Sequence, residues 1–371
     1  MEPMRIYDPS QPRAAGGRAP AFRNVRSSLL RPGVRLPVRL ARRGLAIGID
    51  IGGTKVAAGV VDGEGRILAE LYRDTPGHDP REVEQVIVSL VRELSAEFRV
   101  LSVGIGAAGW MDRSGSTVLF SPHLAWRNEP VRMNLEKLLH RRVAVSNDAD
   151  AAAWAEFRFG AGVGQDRLVC ITLGTGIGGG IVIDGRIERG NWGVAGEFGH
   201  QIIVPQGHRC ECGNRGCWEQ YASGNVLVRE ARELAASGSP MAHALLERVD
   251  GDATLLTGPL VTEVARAGDP AAIELFEDVG RWLGVGLANL AAAFDPGLFV
   301  VGGGVSDAGE LLLTPAREGF RRQLTGRGFR PEARVVRAQL GNEAGLIGAA
   351  DLARDRARLF RRRRHRSRRG L

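Results

Sequence analysis

Lysine is nearly missing from this chain. The 50 basic residues include two lysines, Lys55 and Lys137, and the rest are arginine. A coding bias towards arginine is the simplest cause, although a compact ammonium group also suits the glycine-rich turn that holds Lys55. Cysteine is scarce as well, with four in 371 residues, which excludes a disulfide-stapled scaffold and fits a reducing compartment. No apolar run reaches the roughly 18 residues that a membrane-spanning helix needs. No G-x-x-x-x-G-K-[ST] motif occurs, so the chain is not a P-loop protein. The first 44 residues lack an apolar stretch ending in a small-residue cleavage site, and no secretory signal is expected there. Their arginine-rich, acid-poor character faintly resembles an organelle transit peptide.

Acidic residues are few at both ends, two in each against ten arginines. The whole chain carries a formal +8, residues 1–44 carry +8 and residues 351–371 carry another +8, so residues 45–350 carry the difference, −8. The basicity therefore belongs to two tails around an acidic body. Both tails are expected to be disordered: a leader over 1–44 and an arginine-rich tail over 360–371. Such tails would touch nucleic acid only non-specifically.

Three of the four cysteines fall within eight residues, Cys210, Cys212 and Cys217. Three thiolates with one imidazole make a closed tetrahedral zinc shell, the pattern of a structural site. The alternative is a set of core or reactive thiols. His200 and His208 both stand upstream as a fourth ligand. Cys170 sits in the apolar run from Leu168 to Leu173, which reads as a buried strand, so a disulfide is not expected. Glu197 and Glu219 lie in the same cysteine-bearing segment, so a metal would brace a loop that presents carboxylates.

Two glycine-rich segments match each other. Gly48 to Gly63 and Ile171 to Gly185 both read as strand, glycine turn, strand and Asp-Gly hairpin turn. Asp62 follows Asp50 by twelve residues, and Asp184 follows Thr172 by twelve. One such unit in each half predicts a duplicated α/β fold of two domains flanking a cleft. Glycine turns let backbone N–H groups approach phosphate, and Thr54 and Thr175 add hydroxyl donors. Two matches to G-x-G-x-x-G, at Gly104 and Gly174, are dismissed because a dinucleotide fingerprint needs a helix straight after the turn. A β-like run follows the Gly174 match, and the turn-like Trp110 to Gly115 follows the Gly104 match.

Periodicity predicts strands over 45–51, 99–105, 143–146, 168–173, 180–183 and 298–301, and helices over 82–98, 149–157, 225–236, 271–293 and 343–359. This alternation predicts mainly parallel sheets. A small domain is expected over 45–150, with the closing helix returning to it, and a large domain over 151–342. Asn147-Asp148 sits where a strand ends and a helix begins. There it is either a helix N-cap or the seat of a general base for a hydroxyl nucleophile.

Asp50-Ile-Gly-Gly-Thr-Lys55, Asn147-Asp148, Leu173-Gly-Thr-Gly-Ile-Gly-Gly-Gly180, Glu197-Phe-Gly-His200 and Cys210-x-Cys-Gly-x-x-Gly-Cys-x-Glu219 together resemble the ROK family of sugar kinases and repressors. Within it they are most similar to ATP-dependent glucokinases of the actinobacterial type. The resemblance runs from about residue 45 to about 358. It implies the actin-like, ribonuclease-H-like ATPase fold and phosphorylation of glucose at the 6-hydroxyl, in the cytoplasm, by a homodimer or homotetramer. It implies that Asp148 is the base and that Gly109, Asn128, Asn147, Glu197, His200 and Glu219 hold the sugar. Asp50 would lie near Mg2+. Gly52, Gly53, Thr54, Lys55, Gly174 and Thr175 would line the phosphates of ATP, and Gly302, Gly303 and Gly304 its adenosine. His200, Cys210, Cys212 and Cys217 would hold a structural Zn2+. Many relatives carry proline where this chain has Ala108, which leaves the sugar choice of that loop open. Kinases for another hexose or an N-acetylhexosamine are the alternative reading. A sugar-responsive repressor would need a helix-turn-helix, which the six prolines of residues 1–44 oppose.

Overall fold

The computed structural model describes residues 4–6, 44–76, 79–122 and 124–367. The tails expected to be disordered fall largely outside them. The chain divides into two compact units. Unit 1 takes the described residues of Met1–Ala155, Arg189–Val194 and Glu343–Leu371, and unit 2 takes Glu156–Glu188 and Ala195–Asn342.

Unit 1 is built on a sheet of β1 (Arg5–Ile6), β2 (Leu45–Ile51), β3 (Lys55–Val61), β4 (Ile67–Asp74), β5 (Val100–Ala107) and β9 (Val143–Asn147), in the order β1-β4-β3-β2-β5-β9. A small second sheet joins β6 (Trp110–Met111), β7 (Val118–Phe120) and β8 (Arg127–Glu129). Unit 2 carries β10 (Arg167–Leu173), β11 (Ile177–Ile183), β12 (Arg186–Ile187), β13 (Leu298–Gly302) and β14 (Arg334–Arg337), in the order β12-β11-β10-β13-β14.

Apart from β1, the two large sheets follow one scheme. A three-stranded antiparallel meander is extended, beside its first strand, by two parallel strands. The sheets are therefore mixed rather than mainly parallel. Each glycine turn reverses the chain directly into its neighbouring strand, and so creates antiparallel pairs. The two Asp-Gly turns also differ. Asp184 and Gly185 both have positive φ, 49° and 71°, as a two-residue hairpin turn requires. At the first site the loop is longer: Asp62 N–H donates to Arg66 O at 3.0 Å, and the positive φ falls on Gly65.

The helices are α1 (Pro80–Glu97), α2 (Val131–Leu139), α3 (Asp148–Phe159), α4 (Glu219–Ala222), α5 (Gly224–Ala236), α6 (His243–Glu247), α7 (Gly258–Arg266), α8 (Pro270–Phe294), α9 (Glu310–Gln323) and α10 (Ala344–Ser367). In α1 the apolar stripe Val83, Ile87, Leu90, Val91 and Leu94 is buried, and Asp79 caps the start with Pro80 behind it. α10 lies on β2 and β5 so closely that side chains are excluded beneath it. A Cβ on Gly48 would stand 1.9 Å from Leu346 O, and one on Gly104 1.8 Å from Ala349 O. The backbone of α10 continues to Ser367, so the tail expected from residue 360 starts too early. Arginine is a good helix former, and nothing in residues 360–367 breaks the helix. In unit 2, α8 is the central helix. Gly286 on it faces Trp218, whose Nε1 donates to Trp282 O at 2.9 Å, and a Cβ there would lie 2.0 Å from the indole.

Candidate functional site

In unit 1 the candidate residues gather where β2, β5 and β9 end. β2 delivers Asp50, and the turn Gly52-Gly53-Thr54 is closed by Gly52 N–H donating to Lys55 O at 3.0 Å. Gly52 to Lys55 are exposed, and Lys55 Nζ sits 3.5 Å from the centroid of the Tyr72 ring. Thr75 fastens the turn, its hydroxyl donating to Gly52 O at 2.8 Å and its N–H to Thr54 O at 3.0 Å.

At the end of β9, Asn147 does the capping. Its Oδ1 accepts the N–H groups of Ala149 at 2.8 Å and Asp150 at 3.1 Å, and its Nδ2 donates to Gly109 O at 3.1 Å. The helix start is thus satisfied by Asn147, with Asp148 Oδ1 sharing the Ala149 N–H at 3.0 Å. Gly109 has φ 133°, and a Cβ there would lie 2.4 Å from Phe120 O. Asn128 is exposed on β8 with φ 49°, in the small sheet whose first strand, β6, directly follows Gly109.

Carboxylates crowd this strand end. Burial, and then the neighbouring charge of Asp148, push Asp50 up to about 7. Burial also lifts Asp150, to about 6; the Arg189 guanidinium, whose Nε donates to Asp150 Oδ2 at 3.1 Å, opposes the lift and Asp148 adds to it. Gly345 is a functional position that sequence reading missed. A Cβ there would stand 2.8 Å from Asp50 Oδ2, so its absence leaves room for that carboxylate. No local signal marks Gly345, because it lies 295 residues from Asp50 in the chain. Asp50, whose carboxyl is raised partly by the neighbouring charge of Asp148, offers hard oxygen donors of the kind that suit a divalent cation such as Mg2+.

In unit 2 the turn Gly174-Thr175-Gly176 joins β10 to β11, and β13 runs into Gly302-Gly303-Gly304 beside it, with Gly302 opposite Thr172. Gly303 has φ 82°, and a Cβ there would press 2.4 Å from Leu173 O, so the two glycine turns touch through bare backbone. Gly224 N–H, at the start of α5, donates to Gly174 O at 2.8 Å. A cavity of about 550 Å³ opens beside that helix start, lined by Asn225, Val228, Arg229, Leu256, Thr257 and Gly258. These residues also escaped the sequence reading, since no motif connects them.

The cysteine loop closes as a shell. His200, Cys210, Cys212 and Cys217 offer ligand atoms that all lie within 4.8 Å of one another. Cys212 Sγ and Cys217 Sγ are 3.6 Å apart, and His200 Nδ1 is 3.6 Å from Cys210 Sγ. Tetrahedral zinc with bonds of about 2.3 Å to sulfur and about 2.0 Å to nitrogen puts two sulfurs about 3.8 Å apart, and sulfur about 3.6 Å from nitrogen. The residues fit the ion. His208 is not in the shell: its N–H donates to the Tyr221 hydroxyl at 2.9 Å and its ring packs on that phenol.

The shell reaches a carboxylate directly. Glu219 Oε1 lies 3.0 Å from Cys210 Sγ and 3.4 Å from His200 Nδ1. Its Oε2 would stand 2.6 Å from a Cβ on Gly176 and 3.3 Å from one on Gly199, so two glycines seat the Glu219 head. Glu197 immediately precedes the short 3-10 turn Phe198–His200.

Comparison with known proteins agrees with this arrangement. The model of the ROK family matches residues 46–356. The glucokinase of Streptomyces coelicolor is 50% identical over 312 residues, which is 84% of this chain and 98% of that enzyme. A crystal structure of a ROK family glucokinase from Streptomyces griseus, in complex with glucose and AMPPNP, superposes with a TM-score of 0.78 at 53% identity, covering 84% of this chain and 100% of that one. A xylose repressor of Caldicellulosiruptor bescii is 31% identical over 74% of this chain, but only 69% of the repressor is covered. The fold is the actin-like ATPase fold, and the chain belongs to the ROK family.

Proposed function

We propose that the protein transfers the γ-phosphoryl group of ATP to the 6-hydroxyl of glucose. The observation that carries this reading is its identity with a glucokinase along nearly all of that enzyme's length. A xylose repressor matches over a much smaller share of its own length, so the repressor alternative lacks that support.

In unit 1, Asp148 accepts the proton of the sugar 6-hydroxyl as that oxygen bonds to the γ-phosphorus and the bond to the ADP oxygen breaks. Asn147, pinned to Gly109 and to the start of α3, holds the base in place and faces a sugar hydroxyl. Asn128 and Gly109 complete the sugar contacts on this reading. In unit 2, Glu197 and Glu219 accept hydrogen bonds from sugar hydroxyls, and each carboxylate can take two. His200 meets the metal shell through Nδ1, which leaves Nε2 for the sugar.

Backbone N–H groups of Gly52, Gly53, Gly174 and Thr175, with the Thr54 hydroxyl and the Lys55 ammonium, bind phosphate oxygens. Gly302, Gly303 and Gly304 and the cavity at Asn225 and Leu256 take the adenosine. Asp50 would hold Mg2+, which neutralises charge on the phosphoryl oxygens. His200, Cys210, Cys212 and Cys217 would hold Zn2+, which contributes rigidity rather than chemistry. Zinc-bound thiolates and an unpaired Cys170 would suit a reducing compartment, the cytoplasm. A homodimer or homotetramer is the assembly we infer from the family resemblance.

The test is incubation of the protein with glucose, ATP and Mg2+, with the product detected by a dehydrogenase specific for glucose 6-phosphate. ADP and glucose 6-phosphate should appear one for one. ADP release without the 6-phosphate would overturn the reading.

A further inference from the structure

Unit 1 also carries a half-open cavity of about 500 Å³ that none of the preceding roles uses. Ser114 on the turn after β6, Arg132 on α2, Ser146 on β9, Arg189, and Asp355 and Arg356 on α10 contribute to its walls. Arg132, Arg189 and Arg356, from three separate segments, therefore line it together with one carboxylate, that of Asp355. Arg132 is held in place by a hydrogen bond from its Nη1 to Ser114 O at 2.9 Å, and Arg189 by its bond to Asp150. Ser146 is only 4% exposed, yet its hydroxyl has no hydrogen-bond partner. Such a buried hydroxyl is costly unless something answers it. Burial, and then the charge of Arg132 with those of Arg142 and Arg189, pull Arg356 below the usual guanidinium range, against the opposing pull of Glu136. Like charges have thus been gathered and partly desolvated at one place.

We propose that this cavity binds a small phosphate-bearing molecule. A phosphate group offers several oxygens and up to two charges to guanidinium forks, whereas a carboxylate offers one charge and two oxygens. The volume leaves room for a remainder of sugar size beside the phosphate. β9 runs from Ser146 straight into Asn147 and Asp148, and Arg189 holds Asp150 in the first turn of α3. An occupant would therefore bear on the strand end through one peptide bond and one ion pair.

The test is titration calorimetry on the full chain with inorganic phosphate and with glucose 6-phosphate at fixed ionic strength, using chloride as the control. The wild type should bind at least one probe saturably, and a tighter Kd for glucose 6-phosphate than for phosphate, in the binding that the variants below weaken, would identify a sugar phosphate as the occupant class. Arg132→Gln and Ser146→Ala should each weaken that binding by about threefold or more, in line with the net loss of at least one hydrogen bond. No saturable binding of either probe up to about 10 mM, weaker than any useful affinity for such a site, would overturn the proposal. So would weakening of less than about threefold in both variants, because the phosphate would then be held elsewhere. If Arg132→Gln fails to fold, Ser146→Ala decides alone, since its hydroxyl has no hydrogen-bond partner among the described residues.

Discussion

Asn147 and Asp148 divide two tasks that one strand end presents. Sequence alone left a cap and a base as rival readings of the pair; the hydrogen bonds assign the cap to Asn147. The base role of Asp148 can then be tested without breaking the helix start. Asp148→Asn should lower kcat on the order of 10²–10⁴-fold while calorimetry still detects glucose binding. A variant keeping more than half of the wild-type kcat would contradict the assignment. Asp112, outside the proposed chemistry, tests the electrostatics. Burial pushes its carboxyl up, but hydrogen bonds from the Ser114 hydroxyl and from the N–H groups of Thr117 and Ser116 outweigh that and bring it to about 2. A depressed pKa stabilises the fold above the unfolded value near 4, and the benefit is lost as the pH falls towards 2. Solvent screening of this largely accessible carboxylate reduces the benefit, so Asp112→Ala should cost about 1 kcal/mol in urea unfolding at pH 7, and the gap to wild type should narrow below about pH 4. A gap that stays constant down to pH 3 would refute this.

The turns and the cysteine loop were legible because their chemistry is local. Two glycines beside a threonine, or C-x-C within eight residues, place donors together whatever the rest of the chain does. Pairings across long separations were not legible. Gly345 beneath Asp50 and Arg189 against Asp150 are products of packing, and no spacing announces them. α9 was missed because Pro315 argues against a helix interior. Packing overrides that local signal: a Cβ on Gly280 of α8 would stand 2.6 Å from Pro315 Cγ, so the helices cross at close range around the proline. The zinc shell yields the prediction at this scale. Metal analysis should find one zinc in each wild-type chain and none in Cys212→Ser, whose glucose affinity should fall, because Glu219 is seated against Cys210 and His200. Normal glucose binding by the zinc-free variant would make the metal incidental to the sugar site.

At the scale of the whole molecule, the repeated strand order was foreshadowed by the two matched turns, whereas the mixed sheets were not, because a turn motif does not reveal which strands later join its hairpin. The family match ends at residue 356 and begins at 46, which leaves the arginine-rich ends outside it. Deleting residues 1–43 and 361–371 should leave kcat and KM for glucose within about twofold, roughly 0.4 kcal/mol in barrier terms. It should also remove salt-sensitive retention on a nucleic-acid column, since the tails carry the positive excess. A large loss of activity with an intact circular dichroism spectrum would show that a tail serves the chemistry. The central claim, an ATP-dependent kinase acting on glucose, is tested most directly by kcat/KM for glucose measured beside mannose, fructose and N-acetylglucosamine with ATP as donor. The account predicts that glucose is preferred by at least about tenfold, the discrimination that one mismatched hydroxyl in a hydrogen-bonding site exceeds. Preference for another of these sugars, or no ADP formation with glucose, would contradict it.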